Sequence, residues 1–243
     1  MKLLRLVAGL LFALPLGITP PVRDVELRYP GNLAGPEQVA DVSGRDQHGT
    51  VLSGGGGAVT SVVDRGGNRV LRFPGGSCTS APCPQAIIRP ADSGRLGGRG
   101  PFTFGADIRL TAPAPHGAGM NVFQFGAAGA GHSQWKLQVD SGRPSCRWSD
   151  GDQVVMLDAG VALAVGRWYR VTCERLSPSV FRVRVRDPRT GEELAEPVGR
   201  TVRLGDIQPV GTVLIGGKRI KAARTDVDTD QFHGDLDAIE FSR

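Results

Sequence analysis

At 243 residues and 40% hydrophobic content, the chain is long enough to bury a sizeable core, as one large all-β domain or two small ones. Its 35 glycines and 17 prolines are spread between short β-branched runs, and no helical apolar period is sustained beyond the first twenty residues, which excludes a mainly helical protein. The formal charge of +5, to which Lys2 and Arg5 contribute at the extreme N-terminus, is too mild to imply a nucleic-acid partner.

Residues 1–20 join a basic start to an apolar run from Leu6 to Ile18. That run is shorter than the ~20 apolar residues of a membrane span and reads as a secretory signal. Its Ala-x-Ala cleavage motif is poor, which leaves retention as an anchor open; no cysteine follows it for lipid attachment. The mature domain is then 21–243, secreted, with no stable membrane insertion once the signal is removed.

Short strands are predicted at Val25–Tyr29, residues 59–63, 69–73 and 85–89, with a polar loop over 39–52 and the glycine tract Gly54 to Gly57 between the first two. Phe102–Leu110 alternates strictly, with Phe102, Phe104, Ala106, Ile108 and Leu110 inward, as a central strand would. Residues 121–125 and 134–139 follow, the latter with Trp135, Leu137 and Val139 on one side. Residues 145–148 and 153–157 form a hairpin across a Ser-Asp-Gly-Asp turn. The clearest hairpin spans residues 168–187. Tyr169, Val171 and Cys173 share one side of its first strand, and Phe181, Val183 and Val185 alternate with Arg182, Arg184 and Arg186 in its second. Residues 192–198, 212–215 and 235–241 complete about thirteen strands, with no linker and no repeat. A hairpin with one apolar and one charged face belongs to an antiparallel sheet backed by another layer. The fold class is all-β, a two-sheet antiparallel sandwich or jelly roll.

Four cysteines in an exported chain suggest two disulfides, and four allow three connectivities. Cys78 and Cys83 are close enough to close a small loop. Cys146 and Cys173 each fall within a predicted strand and are paired as a bridge between neighbouring strands. A zinc site is disfavoured by the Cys78/Cys83 spacing and the lack of a nearby histidine.

Several motifs follow one another in a telling order: Asp41-Val-Ser-Gly44 leading into His48-Gly-Thr-Val51, then Arg69-Val-Leu-Arg-Phe73, the Phe102–Leu110 strand, Trp135-Lys-Leu-Gln-Val139, Trp168-Tyr-Arg-Val-Thr-Cys173 and the closing Phe232-His-Gly-Asp-Leu-Asp-Ala-Ile239. In that order they resemble the laminin-G-like members of the concanavalin A-like lectin/glucanase superfamily, of the type exported by bacteria. The likeness runs from about Val25 to Phe241. It implies a jelly roll of two packed antiparallel sheets, and a carbohydrate- or protein-binding module more often than an enzyme. It also implies a structural calcium ion (Ca2+) shared by Asp41 and Asp237, with loop carbonyls around Ser43 to Asp46 filling the shell of six to eight oxygens that calcium takes. The alternative for these two residues is that Asp41 caps a turn and Asp237 accepts backbone hydrogen bonds.

Other constellations carry less. Asp226-Val-Asp-Thr-Asp230 opens like an EF-hand loop, but its sixth position is Gln231 rather than glycine and no helices flank it; it remains open as an acidic loop lending a ligand to the Asp41/Asp237 pair. Asp235-Leu-Asp-Ala-Ile-Glu240 resembles the carboxylate strand of the superfamily's glucanases, whose two outer carboxylates act as nucleophile and acid/base. On a regular strand, residues five apart face opposite ways unless a bulge intervenes. His48, His116, His132 and His233 show no metal spacing, and neither a nucleophile elbow nor a phosphate loop is present. The Arg182/Arg184/Arg186 stripe, with Arg189 after it, reads as a solvated face before it reads as a polyanion site. Trp135, Trp148 and Trp168 read as packing before sugar stacking.

Three functions follow. The first is a non-catalytic recognition module for glycan or a cell-surface protein, with a cleft of loops and one concave sheet, a few polar side chains and an aromatic. The second is a secreted glycoside hydrolase using Asp235 and Glu240. The third is a purely structural envelope domain.

Overall fold

The computed structural model describes residues 23–243 except 65, 93 and 115–118; the segment read as a signal, and His116, lie outside the described residues. Among the described residues seventeen strands follow one another. The first seven are β1 (Val25–Tyr29), β2 (Leu33–Gly35), β3 (Gln38–Val39), β4 (Gly49–Gly54), β5 (Thr60–Val63), β6 (Arg69–Arg72) and β7 (Gln85–Pro90). Then come β8 (Phe102–Leu110), β9 (Gly119–Phe125), β10 (Ser133–Asp140), β11 (Arg143–Asp150) and β12 (Val154–Asp158). The last are β13 (Tyr169–Ser177), β14 (Val180–Arg186), β15 (Val198–Thr201), β16 (Val213–Ile215) and β17 (Gly234–Ser242), with a single helical turn, α1 (Asp226–Thr229), before β17.

These strands form two antiparallel sheets packed as a jelly-roll sandwich. The first sheet has the order β15-β14-β13-β8-β17-β6-β5, with β1 also pairing β17; the second runs β12-β11-β10-β9-β16-β7-β4-β3-β2. β1 takes the C-terminal half of β17 and β6 its N-terminal half, so the first and last of the described strands lie side by side. The alternation read from sequence is what splits each strand between core and surface. Phe102, Phe104, Trp135, Leu137, Trp148, Phe181 and Phe241 are all at most 1% exposed and meet between the sheets. Their rings form one contiguous cluster: Phe104 lies 4.5 Å from Trp135, Phe123 4.8 Å from Trp135, and Phe181 5.2 Å from Trp148. The buried Trp135 indole N–H donates to the Leu96 carbonyl at 2.7 Å, which satisfies the polar end of that ring.

Several elements differ from expectation, and β2 and β3 form where only loop was expected after β1. β4 lies inside the expected polar loop. Its Gly49 is there for a close approach rather than a turn, since a Cβ would come within 2.5 Å of the Ile88 side chain. The strand expected over 192–198 begins instead at Val198, directly after Pro197, which has no N–H to give a ladder; upstream only an isolated Arg186–Glu193 bridge forms.

Both cysteine pairs are disulfide-bonded, Cys78 to Cys83 and Cys146 to Cys173. The second bridge does not join neighbouring strands: β11 lies in one sheet and β13 in the other. Cys146 and Cys173 are fully buried on inward faces, and from an inward face the partner within reach belongs to the opposite sheet. No helix among the described residues is long and apolar enough to cross a membrane.

Candidate functional site

A cleft of about 670 Å³ opens on the outer face of the second sheet. Its floor follows from strand alternation: if Trp135, Leu137 and Val139 point inward, Gln134, Lys136 and Gln138 must point out, and Arg147 stands out between the inward Cys146 and Trp148. Register then assembles a row across five strands. Met156 on β12 faces Arg147 on β11, which faces Lys136 on β10, then Gln124 on β9 and Leu214 on β16. Flanking rungs add Gln134 beside Ser149, and Gln138 between Ser145 and Asn121.

Loops wall this floor. α1 ends on Asp230, whose left-handed backbone (φ 49°) turns its carboxylate over the sheet. One oxygen accepts from Lys136 Nζ at 3.1 Å and the other from Lys218 Nζ at 3.0 Å. The segment is fixed from beneath. Asp226, 4% exposed, accepts from the Cys78 N–H at 2.5 Å and lies 2.7 Å from the His233 ring. Of this loop's three carboxylates Asp230 serves the cleft, Asp226 its footing, and Asp228 accepts from the Thr225 hydroxyl, so each is engaged here rather than with Asp41 and Asp237.

The electrostatics are one-sided. Four cations, Lys136, Arg147, Lys218 and Arg219, line the cleft against one carboxylate, Asp230. Burial pushes the Lys136 ammonium below its ordinary range, partly offset by Asp230. Four buried polar atoms on this face have no hydrogen-bond partner: Asn121 Oδ1, Gln134 Oε1, Ser145 Oγ and Arg147 Nε. Unpaired atoms of the same kind also lie on the first sheet, at Thr103 and Arg184 among others, so it is the cleft and its charge that set this face apart. Among the described residues no aromatic ring lines the cleft; Met156, Val210 and Leu214 are its apolar surfaces. Trp135 and Trp148 belong to the core, and Trp168 lies beneath the Arg109 guanidinium at 4.7 Å.

The residues singled out from sequence lie on the other sheet or beside it. Asp41 is saturated by protein donors. Oδ1 accepts from the N–H groups of Arg28 and Ser43, and Oδ2 from the Ser43 hydroxyl and the Gln47 N–H, all at 2.7–3.0 Å. Burial raises its pKa, but these bonds outweigh burial and hold the carboxyl below its ordinary range. Asp237 accepts from the Ala238 N–H at 2.7 Å and faces Asp107 across the strand pair. Its pKa is raised, first by burial, with Asp64 adding to that and Arg170 opposing it. A carboxylate whose lone pairs already receive four donors does not fit a calcium shell, and among the described residues no group of three or more His, Cys, Asp or Glu converges as a metal site.

The glucanase-like strand does contain a bulge. Asp237 faces Asp107 while Glu240 faces Gly105, and Ala238 takes the extra position at φ 43°. Asp235, Asp237 and Glu240 therefore share the outer face of the first sheet, with Leu236, Ile239 and Phe241 inward. Asp235 is nevertheless fully buried, both oxygens held by Arg72 and Arg109 at 2.6–3.1 Å, and Glu240 is held by Arg28 at 2.6 Å. A shallower pocket of about 420 Å³ beside them includes Asp107, Asp237, Glu240, Arg28 and Arg170. The arginine stripe of β14 is answered by acids, Arg182 by Glu174 at 2.5 Å and Arg184 and Arg186 by Glu193.

The two packed antiparallel sheets define an all-β sandwich fold. Solved structures with this fold include the receptor-binding domain of botulinum neurotoxin mosaic serotype C/D, with a TM-score of 0.57, 12% identity, and coverage of 90% of this chain and 47% of that one. The botulinum neurotoxin serotype D binding domain gives a TM-score of 0.54 at 12% identity, and the binding domain of botulinum neurotoxin DC, solved in complex with SialylT, gives 0.54 at 11%, with the same coverage. The chain spans about half the length of these structures. No protein-family model matches the chain, and no curated protein matches it by sequence.

Proposed function

We propose that the protein is a secreted, non-catalytic recognition module that binds carbohydrate in the cleft over β9, β10 and β11. The observation that carries this reading is the polar cleft itself, whose floor sets Gln124, Lys136 and Arg147 in one row with Gln134 and Gln138 on the flanking rungs. Amide, ammonium and guanidinium groups with fixed spacing match the hydroxyl-rich surface of a sugar, and Met156 and Leu214 offer apolar surface for its ring faces. The neighbouring folds are receptor-binding domains, and one was solved with a sialylated ligand, which supports the class without fixing the ligand. The laminin-G-like resemblance points the same way. Two disulfides suit an oxidising, extracellular setting.

Hydrolysis is disfavoured by the state of its candidates. A retaining glycosidase needs one carboxylate free to attack and another able to donate a proton. Asp235 has no exposed surface, and both its oxygens accept guanidinium hydrogen bonds. A glycan array run with a parallel hydrolysis screen tests the proposal. Retention of one saccharide class with no release of reducing ends is expected; failure to retain any saccharide, or turnover of one, overturns it.

A further inference from the structure

Resting on the reading of the cleft as a saccharide site, we propose that its ligand is an acidic saccharide whose anionic group, a carboxylate or a sulfate ester, is bound by Arg147 beside Lys136. The two cations stand directly opposite each other in the β10–β11 register. Like charges in that position destabilise a sheet, so each calls for a counter-charge. Lys136 finds one in Asp230, but that carboxylate is shared with Lys218. Arg147 finds none: among the described residues no group accepts from its guanidinium, and its Nε is buried without a partner. Two other acids on this face are engaged elsewhere: Asp158, diagonal to Arg147 on β12, accepts from the Gly160 N–H at 2.6 Å, and Asp140 accepts from the Gln138 amide at 2.7 Å. A neutral sugar would give Arg147 an acceptor yet leave the excess charge unanswered. A carboxylate or sulfate supplies both, and guanidinium suits the two-oxygen edge of either. The rest of the saccharide then lies over the amides of Gln124 and Gln134.

Asp230 plays a distinct part in this arrangement. It is an internal counter-ion that competes with the ligand for Lys136. Its left-handed backbone is one that asparagine also adopts readily, so Asp230→Asn removes the charge while keeping the turn.

Calorimetric titration of the full chain with its disulfides intact provides the test. The probes are sialyllactose, a glucuronate-bearing disaccharide, a sulfated disaccharide, neutral lactose and inorganic sulfate alone. Acidic saccharides should bind at least about tenfold more tightly than lactose, the scale of one charge-assisted hydrogen bond. Arg147→Gln should erase that preference, Arg147→Lys should restore part of it, and Asp230→Asn should strengthen acidic binding. Comparison of the carboxylated and sulfated arms names the anionic group. Lactose binding as tightly as sialyllactose, unmoved by Arg147→Gln, overturns the acidic preference and leaves the saccharide cleft standing. Inorganic sulfate binding as tightly as any saccharide overturns the saccharide ligand, and no binding of any probe overturns both.

Discussion

Replacing Cys146 and Cys173 together by Ala removes the covalent tie between the two sheets. The bridge closes a loop of 27 residues, for which the chain-entropy model gives a stabilisation of ~3.6 kcal/mol. The Cys78–Cys83 loop closes over a separation of 5, and the same model gives it only ~2 kcal/mol. Ala is the right replacement because both cysteines are fully buried in the apolar core, where a serine hydroxyl would lack a partner. Urea unfolding followed by tryptophan fluorescence reads the loss, since Trp148 lies beside Cys146 in β11. The midpoint should fall by the equivalent of about 3–4 kcal/mol. The slope against urea should rise, because the unfolded chain without the tie exposes more surface. A loss below about 1 kcal/mol with an unchanged slope would refute the view that this bridge acts by restricting the unfolded chain.

Other outcomes follow from the acid groups. Asp107 has its pKa pushed up to about 6, first by burial and then by Asp237 across the strand pair, with Arg170 only partly opposing it. Its contribution to stability is therefore full below its unfolded value near ~3.9 and is lost as pH rises through about 6. Asp107→Asn should flatten stability across that window and raise the melting temperature at neutral pH, read by calorimetric scans between acid and neutral buffer. Asp41→Ala should cost about 2–4 kcal/mol, because four donors lose their acceptor. Calcium or chelator should not shift the melting temperature of the unaltered protein, and a shift abolished by Asp41→Ala would restore the shared-ion reading. Asp235→Asn strips the counter-charge from Arg72 and Arg109 and should cost about 2–4 kcal/mol in denaturant unfolding, less than a fully buried pair because Arg72 is partly exposed.

The sandwich was legible because its strands write their own faces. Phe102–Leu110 and the hairpin of β13 and β14 alternate so strictly that inward and outward sets follow without coordinates. The same alternation held the signal for the cleft. Reading Trp135, Leu137 and Val139 as inward leaves Gln134, Lys136 and Gln138 as an outward polar row. Their significance depends on register, which sets Arg147 opposite Lys136, and on Asp230 arriving from almost a hundred residues later. Neither is encoded in the local pattern. For Asp41 and Asp237 the calcium expectation came from the laminin-G-like resemblance alone. What Asp41 does is decided by four nearby donors, three of them backbone N–H groups whose direction only the folded loop fixes. The bulge at Ala238 was equally hidden, since nothing in Asp-Leu-Asp-Ala-Ile-Glu announces a positive φ at alanine.

The central claim is that ligand binds over β9, β10 and β11. Nuclear magnetic resonance titration with an array-selected saccharide tests it most directly, following backbone amides together with the Arg147 Nε–H and the side-chain amides of Gln124, Gln134 and Gln138. The account predicts saturable shifts confined to this face and to the Lys218 and Asp230 loops. Shifts centred instead on Asp107, Asp237 and Glu240, on the opposite sheet, would contradict it.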